Sequence, residues 1–299
     1  MVKEPLLNRT DLHLHSSHSD GKDSPAELMR YCRQKGLTTV SLTDHDTVSG
    51  YAEALREAKT VGIECICGVE LSLDFEPGTL HLLGYFLDPE NTKLQEALLQ
   101  VQEARRERNP QIIEKLNRLG MDISLDEVRQ EAFSASPEVQ ADERQIGRPH
   151  FARVLVRKGA VKRTEEAFDR YLGKGRPAYV PKKRLSSAQA IDVIRRAGGV
   201  SSLAHPNYMA LGRESLELKI AELKEGGLDA IEVYHSSHDR KDRKFFKKMA
   251  SKFDLAETGG SDFHGNPGQG VDAGDLGQGV ALGPEIIERL RSRIRQPKA

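Results

Sequence analysis

Short apolar runs alternate with longer amphipathic stretches along most of the chain. Residues 10–14, 38–43, 63–71 and 80–86 read as strands, rich in aliphatic and β-branched residues and bounded by turn formers. Between the first three lie helical patterns over 25–35 and 49–61. The first opens on the capping box Ser24-Pro-Ala-Glu27, with Pro25 at the first helical position, and stops at Gly36. From about Thr92 the rhythm changes. A charged helix marked by Leu94, Leu98 and Val101 runs to Asn109-Pro110, where a cap and an N1 proline predict a second helix ending near Gly120. Ser124-Leu-Asp-Glu127 is another capping box, Phe151 and Leu155 mark one helix face, and residues 165–171 continue the helical reading. A strand is expected at 178–180. The alternation then resumes with a helix opened by Ser186-Ser-Ala-Gln189 and ended by Gly198-Gly199. Strands follow at 200–204, 229–234 and 255–261, interleaved with helices at 215–224, 240–253 and 284–295. About seven β/α units predict an α/β fold of barrel type, divided into residues 1–91, a helical insertion over 92–178, and 179–299.

Composition narrows the class. The 45 basic residues equal the 45 acidic ones, so any attraction for phosphate must be local. No apolar run approaches the roughly 18 residues of a membrane span, and the first nine residues lack the apolar core of a signal peptide, so a cytoplasmic protein is expected. Cys32, Cys65 and Cys67 are too few and too local for a disulfide framework, and read as buried, inert thiols.

The candidate chemistry lies at strand ends. In an extended segment alternate side chains share a face, so His13 and His15 can hold one metal ion from a single strand. His45 follows the second strand, Glu70 the third and His205 the fifth; Asp262 and His264 follow the last with the spacing of His13 and His15, and His81 lies on the fourth. With Asp20 in the first loop, these nine side chains exceed what one ion needs and imply a cluster of two or three. Imidazole with carboxylate suits zinc, manganese or iron. Three divalent ions against three carboxylates leave a surplus of positive charge, which calls for an anionic substrate. Closely spaced ions generate hydroxide and clamp a phosphoryl group during in-line displacement.

The set Asp11-Leu-His-Leu-His15 with Ser19-Asp-Gly21, Thr43-Asp-His-Asp-Thr47, Gly68-Val-Glu70, His81, Ala204-His-Pro206 and Ser261-Asp-Phe-His264 resembles the full motif set of the PHP (polymerase and histidinol phosphatase) family. The resemblance implies a distorted seven-stranded barrel with a trinuclear site, manganese favoured over zinc or iron. One ion would take His13, His15, Glu70 and Asp262. A second would share Glu70 and add His81 and His205, and the third would take Asp20, His45 and His264. Ile146-Gly-Arg-Pro-His-Phe-Ala152, residues 171–180 and Glu232-Val-Tyr-His-Ser-Ser-His238 are similar to the PHP subgroup of nucleoside 3',5'-bisphosphate phosphatases and 5'-to-3' exoribonucleases. The implied substrate is a nucleotide or short oligonucleotide, with no obligate protein partner. His18 departs from the pattern and is expected beside the cluster rather than as a tenth ligand.

Outside the metal shell, Arg148 precedes Pro149 at a helix start, where N–H groups and a guanidinium can jointly hold a phosphate. Lys174 and Arg176, in a Gly-rich turn, are further candidates for holding substrate. His235 is placed to donate to the phosphate or protonate the leaving oxygen. Asp262 and Glu70 are expected to be indispensable for turnover. The Gly-rich stretch 268–279 reads as a rim loop. A histidinol-phosphate-type phosphatase, a non-catalytic RNA- or partner-binding module stabilised by the metals, and a hydrolase of C–N bonds remain as alternatives.

Overall fold

The structure, a computed structural model, describes residues 9–133, 145–265, 271–277 and 279–295. The leader reading of residues 1–8 and part of the Gly-rich stretch fall outside them. Seven strands lie side by side in sequence order: β1 (Arg9–Leu14), β2 (Leu37–Leu42), β3 (Glu64–Ser72), β4 (His81–Tyr85), β5 (Val200–Leu203), β6 (Ala230–His235) and β7 (Ala256–Gly260). The helices are α1 (Pro25–Gln34), α2 (Tyr51–Val61), α3 (Thr92–Arg118), α4 (Leu125–Phe133), α5 (Arg148–Arg157), α6 (Thr164–Ala167), α7 (Ser187–Arg196), α8 (Arg213–Glu225), α9 (Arg240–Lys252) and α10 (Glu285–Arg291).

β1–β2–β3 and β5–β6–β7 are parallel, but β4 runs antiparallel to both its neighbours. The expected series of seven β/α units is corrected here. The 73–80 connection is too short for a crossover, which takes about a dozen residues, so β4 must turn back along β3. That reversal brings the N-terminal end of β4, with His81, to the rim where the parallel strands end; His81 pairs with Ser72 at the end of β3.

The segment leaving β7 nearly closes the barrel on β1: His15 N donates to Phe263 O at 3.0 Å and Asp262 N to His13 O at 2.9 Å. Gly260 permits this approach, because a Cβ there would stand 2.2 Å from the Cβ of His13. Outer faces of the strands carry the aliphatic residues, such as Leu14, Val40 and Cys65 under α1 and α2 and Leu71, Leu82 and Ile231 under α7 to α9.

The segment expected as a helical insertion departs from expectation twice. α3 is one helix of 27 residues that runs through Pro110 rather than restarting there. The proline ring is exposed, while Arg105, Arg108, Asn109, Ile112 and Leu116 on the other face are buried, and this packing holds the helix across the missing N–H. Residues 178–180 leave a turn without forming a strand. Ala178 N donates to Tyr171 O at 3.0 Å and Tyr179 N to Arg176 O at 2.9 Å, while Ala178 and Val180 fill the core made by Ile112, Phe151, Leu155 and Leu172. The early turns of α3, with Leu94, Leu98 and Val101, pack instead on the barrel. No helix among the described residues is long and apolar enough to cross a membrane.

Candidate active site

The strand ends bring the sequence-predicted ligands together. Four groups of side chains can each offer atoms within 4.8 Å of one another: His13, His15, Glu70 and Asp262; His15, Asp20, His45 and His264; His45, Glu70 and His81; and His13, Glu232 and His235. His205 joins through Nε2, 2.9 Å from Glu70 Oε1. Glu70, 1% exposed, sits at the centre. Its Oε2 is 3.2 Å from His15 Nε2, 3.4 Å from His13 Nε2 and 3.1 Å from His45 Nδ1, and Asp262 Oδ1 is 3.1 Å from His15 Nε2. Ligand atoms about 2.0–2.2 Å from one ion stand roughly 3.0–3.6 Å apart, so these separations suit atoms that share a metal. Buried nitrogens on His13, His15 and His45 lack any hydrogen-bond partner, as lone pairs directed at a cation would. The donor set therefore fits divalent ions.

The buried imidazoles and carboxylates are strongly coupled. Burial opposes charge on His15, but Asp262 and Glu70 outweigh it and push its pKa to about 10. Burial dominates at His45 and brings it down to about 4. Burial would raise Glu70, yet His45 and His81 hold it well below the usual carboxylate range. Three rim residues, Asp46 (φ 56°), His205 (φ 22°) and Asp262 (φ 60°), have left-handed backbone that non-glycine residues rarely adopt, and all three lie in or beside the cluster.

Beside the cluster lies a cleft of about 210 Å³, whose floor includes Asp20, His45 and His81 and whose walls carry Arg105, Arg108, Arg148, Lys182 and Arg184. Asp46 accepts from Lys182 Nζ at 3.1 Å and from Arg105. Five cations against two carboxylates, Asp20 on the floor and Asp46 beside it, leave surplus positive charge in a neutral chain. Burial lowers Arg148 to about 10 and Lys182 to about 7, so an incoming anion would favour both charges.

The PHP domain matches residues 11–173. A 5'-3' exoribonuclease of Haemophilus influenzae is 36% identical over 261 residues, covering 87% of this chain and 91% of that protein. A 3',5'-nucleoside bisphosphate phosphatase of Chromobacterium violaceum is 35% identical over 290 residues, covering 96% and 98%. The chain belongs to the PHP family. A solved Chromobacterium violaceum structure, described as an amidohydrolase with bound sulfate and no metal, shares the PHP barrel of this chain with a TM-score of 0.82 at 33% identity, covering 97% and 98%.

Around the PHP cluster, the expected binding residues separate. Arg148, at the start of α5, lines the cleft, its Nη1 donating to Leu172 O at 3.0 Å. Lys174 and Arg176 do not line it: Lys174 pairs with Glu76 and donates to Phe75 O at 3.3 Å, and Arg176 is exposed. The turn of 173–176 sets Lys174 against the 73–80 connection, outside the lining of the cleft. His235 points into the cluster, Nε2 3.6 Å from Asp262 Oδ2, because a bulge at Val233 shifts the register of β6 against β7. Glu232 and His235, three residues apart, thus both face inward. His18 is buried and bonds Ser49 Oγ through Nδ1 at 2.8 Å, outside every ligand group.

Several residues of the PHP site escaped sequence reasoning. Glu232 accepts from His13 Nδ1 at 3.1 Å and from His205 N at 2.7 Å, fixing two candidate ligands at once. Asp44 accepts from Ser16 N at 2.7 Å and Ser19 Oγ at 2.6 Å, and Asp11 from Ser261 N at 2.9 Å and Gly274 N at 2.7 Å. For Arg105 and Arg108 a signal existed: they fall at core-facing positions of the repeat Leu94, Leu98, Val101, Arg105, Arg108, Ile112. Lys182 and Arg184 lie in a short basic run that gave none.

Proposed function

We propose that this protein is a metal-dependent phosphoesterase that removes the 3'-phosphate of nucleoside 3',5'-bisphosphates and takes nucleotides from the 5' end of short RNA. The observation that carries the reading is the junction of the ligand cluster with the cation cleft, which share Asp20, His45 and His81. A substrate with two phosphates fits that junction, one at the cluster and one among Arg105, Arg108, Arg148, Lys182 and Arg184. The names of the curated relatives support the same two activities. The cleft favours phosphate over the amide chemistry implied by the description of the solved neighbour.

Three ions would be held by the three ligand sets inferred from the family, with manganese favoured and zinc or iron the other choices; the His15, Asp20, His45, His264 group and the Glu70-centred groups support that number. When bound, such ions acidify water and neutralise charge gathering on phosphoryl oxygens. Glu70 and Asp262 orient the imidazoles around the reacting phosphoryl group. His235, its Nε2 buried and unpartnered, faces that group and donates a hydrogen bond to it. The insertion 92–178 acts as the wall that positions the second phosphate, through Arg105, Arg108 and Arg148.

Phosphate release from adenosine 3',5'-bisphosphate, AMP and a 5'-phosphorylated RNA trimer, with manganese, tests the reading. Preference for the bisphosphate over AMP is the expected result. Equal turnover of simple monoesters would favour a small-molecule phosphatase instead.

A further inference from the structure

The ligand cluster has two dissimilar ends. At one, Asp20, His45 and His81 open into the cation cleft. At the other, the ring of Tyr208 lies with its centroid 4.7 Å from that of His205 and 6.0 Å from that of His235. Tyr208 takes no part in lining the cleft. It is 45% exposed, and no other aromatic side chain among the described residues is exposed. The turn that carries it, Pro206–Met209, is pinned on several sides. Thr79 N donates to Tyr208 O at 2.9 Å, Asn207 Nδ2 donates to Ser237 Oγ at 3.0 Å, and Asn207 Oδ1 meets His238 Nε2 at 3.1 Å. A large ring is thus held rigidly in water at the edge of a phosphate-type site.

We propose that Tyr208 is a stacking platform for the nucleobase on the 3' side of the scissile phosphate, and that it sets how well an oligonucleotide competes with a nucleoside bisphosphate. The proposal rests on the phosphoesterase reading above. Both substrates undergo one reaction: the oxygen of water bonds to phosphorus, the bond from phosphorus to O3' of the first nucleotide breaks, and O3' takes a proton. They differ in one phosphoryl oxygen, which is terminal in the bisphosphate and carries the next nucleotide in RNA. With the first nucleotide and its 5'-phosphate in the cation cleft, the next one extends beyond phosphorus, over His205, His235 and Tyr208. Every base has a π-face, so such a platform is tolerant of sequence.

The test measures kcat/KM for a 5'-phosphorylated RNA trimer, for the same trimer with an abasic second residue, and for adenosine 3',5'-bisphosphate, in wild type, Tyr208→Ala and Tyr208→Phe. Tyr208→Ala is expected to lower the ratio of trimer to bisphosphate kcat/KM about tenfold, the usual scale of one base stack, while Tyr208→Phe keeps it. The abasic trimer should show the same loss in wild type and no further loss in Tyr208→Ala. An equal fall on all three substrates would make Tyr208 merely structural and overturn the proposal. Wild-type turnover of the bisphosphate without the trimer would also overturn it, leaving the phosphatase reading intact. Failure of both substrates would instead remove that reading itself.

Discussion

Asp262 shows how much a single residue carries. Its amide is bonded to His13 O, its backbone is held at φ 60°, and its carboxylate faces His13, His15 and His235. Asp262→Asn keeps the shape but removes a charge, and is expected to cut turnover at least about 100-fold with little change in folding, as measured by phosphate release and circular dichroism. Glu232 does not line the cleft; it holds His13 and the His205 amide. Glu232→Gln should therefore weaken metal affinity by about 10–100-fold, measured by titration of the metal-free protein. His150 offers a pH test at a residue outside the ligand groups. Burial pulls its pKa to about 3, and its neutral Nδ1 accepts from Gly147 N at 2.9 Å. The unfolded chain binds a proton there near 6.5 and the folded chain near 3, so stability present above pH 6.5 is lost as pH falls through that window, by up to about 1.4 kcal/mol per unit. Urea melts of His150→Gln against wild type between pH 7 and 4 should show a shallower decline in the variant. The candidate ligands were legible because six histidines and three carboxylates group at or near strand ends, a joint pattern that a single His-X-His does not supply; Glu232 was not, since a lone glutamate in a strand announces no partner.

At the scale of elements, capping boxes and apolar periodicity located most helices and strands to within a few residues. The misses have physical causes. β4 was read as one more β/α unit because periodicity carries no strand direction; only the short 73–80 connection does. Pro110 was read as a helix start because proline at N1 and proline inside a buried helix look alike locally, and burial of Arg105, Arg108 and Asn109 decides between them. The two readings predict opposite signs. In a continuous α3, Pro110→Ala should raise stability by about 1–3 kcal/mol, seen as a higher urea midpoint. A lower midpoint would mean that the proline begins a helix of its own. The bulge in β6 was invisible for the same reason as the strand reversal, and it is what turns His235 toward Asp262.

At the scale of the whole molecule, a neutral chain builds two adjacent zones of opposite character. Carboxylates and imidazoles gather at the barrel rim; arginines and a lysine from α3, α5 and the 182–184 strap face them across the cleft. Sequence placed the first zone, whose parts sit on strand ends of one barrel. Of the second it placed only Arg148, because the rest depends on how residues 92–184 fold back over the rim. If ions occupy the rim, they stabilise the folded state by mass action, so chelation should lower the melting temperature as well as activity. The most direct measurement of the central claim is a titration of the metal-free protein with manganese that follows bound metal and phosphate release from adenosine 3',5'-bisphosphate in the same samples. The account predicts no turnover without metal and activity that rises with the binding of more than one ion per chain, three at saturation. Full turnover in the presence of chelator would contradict it.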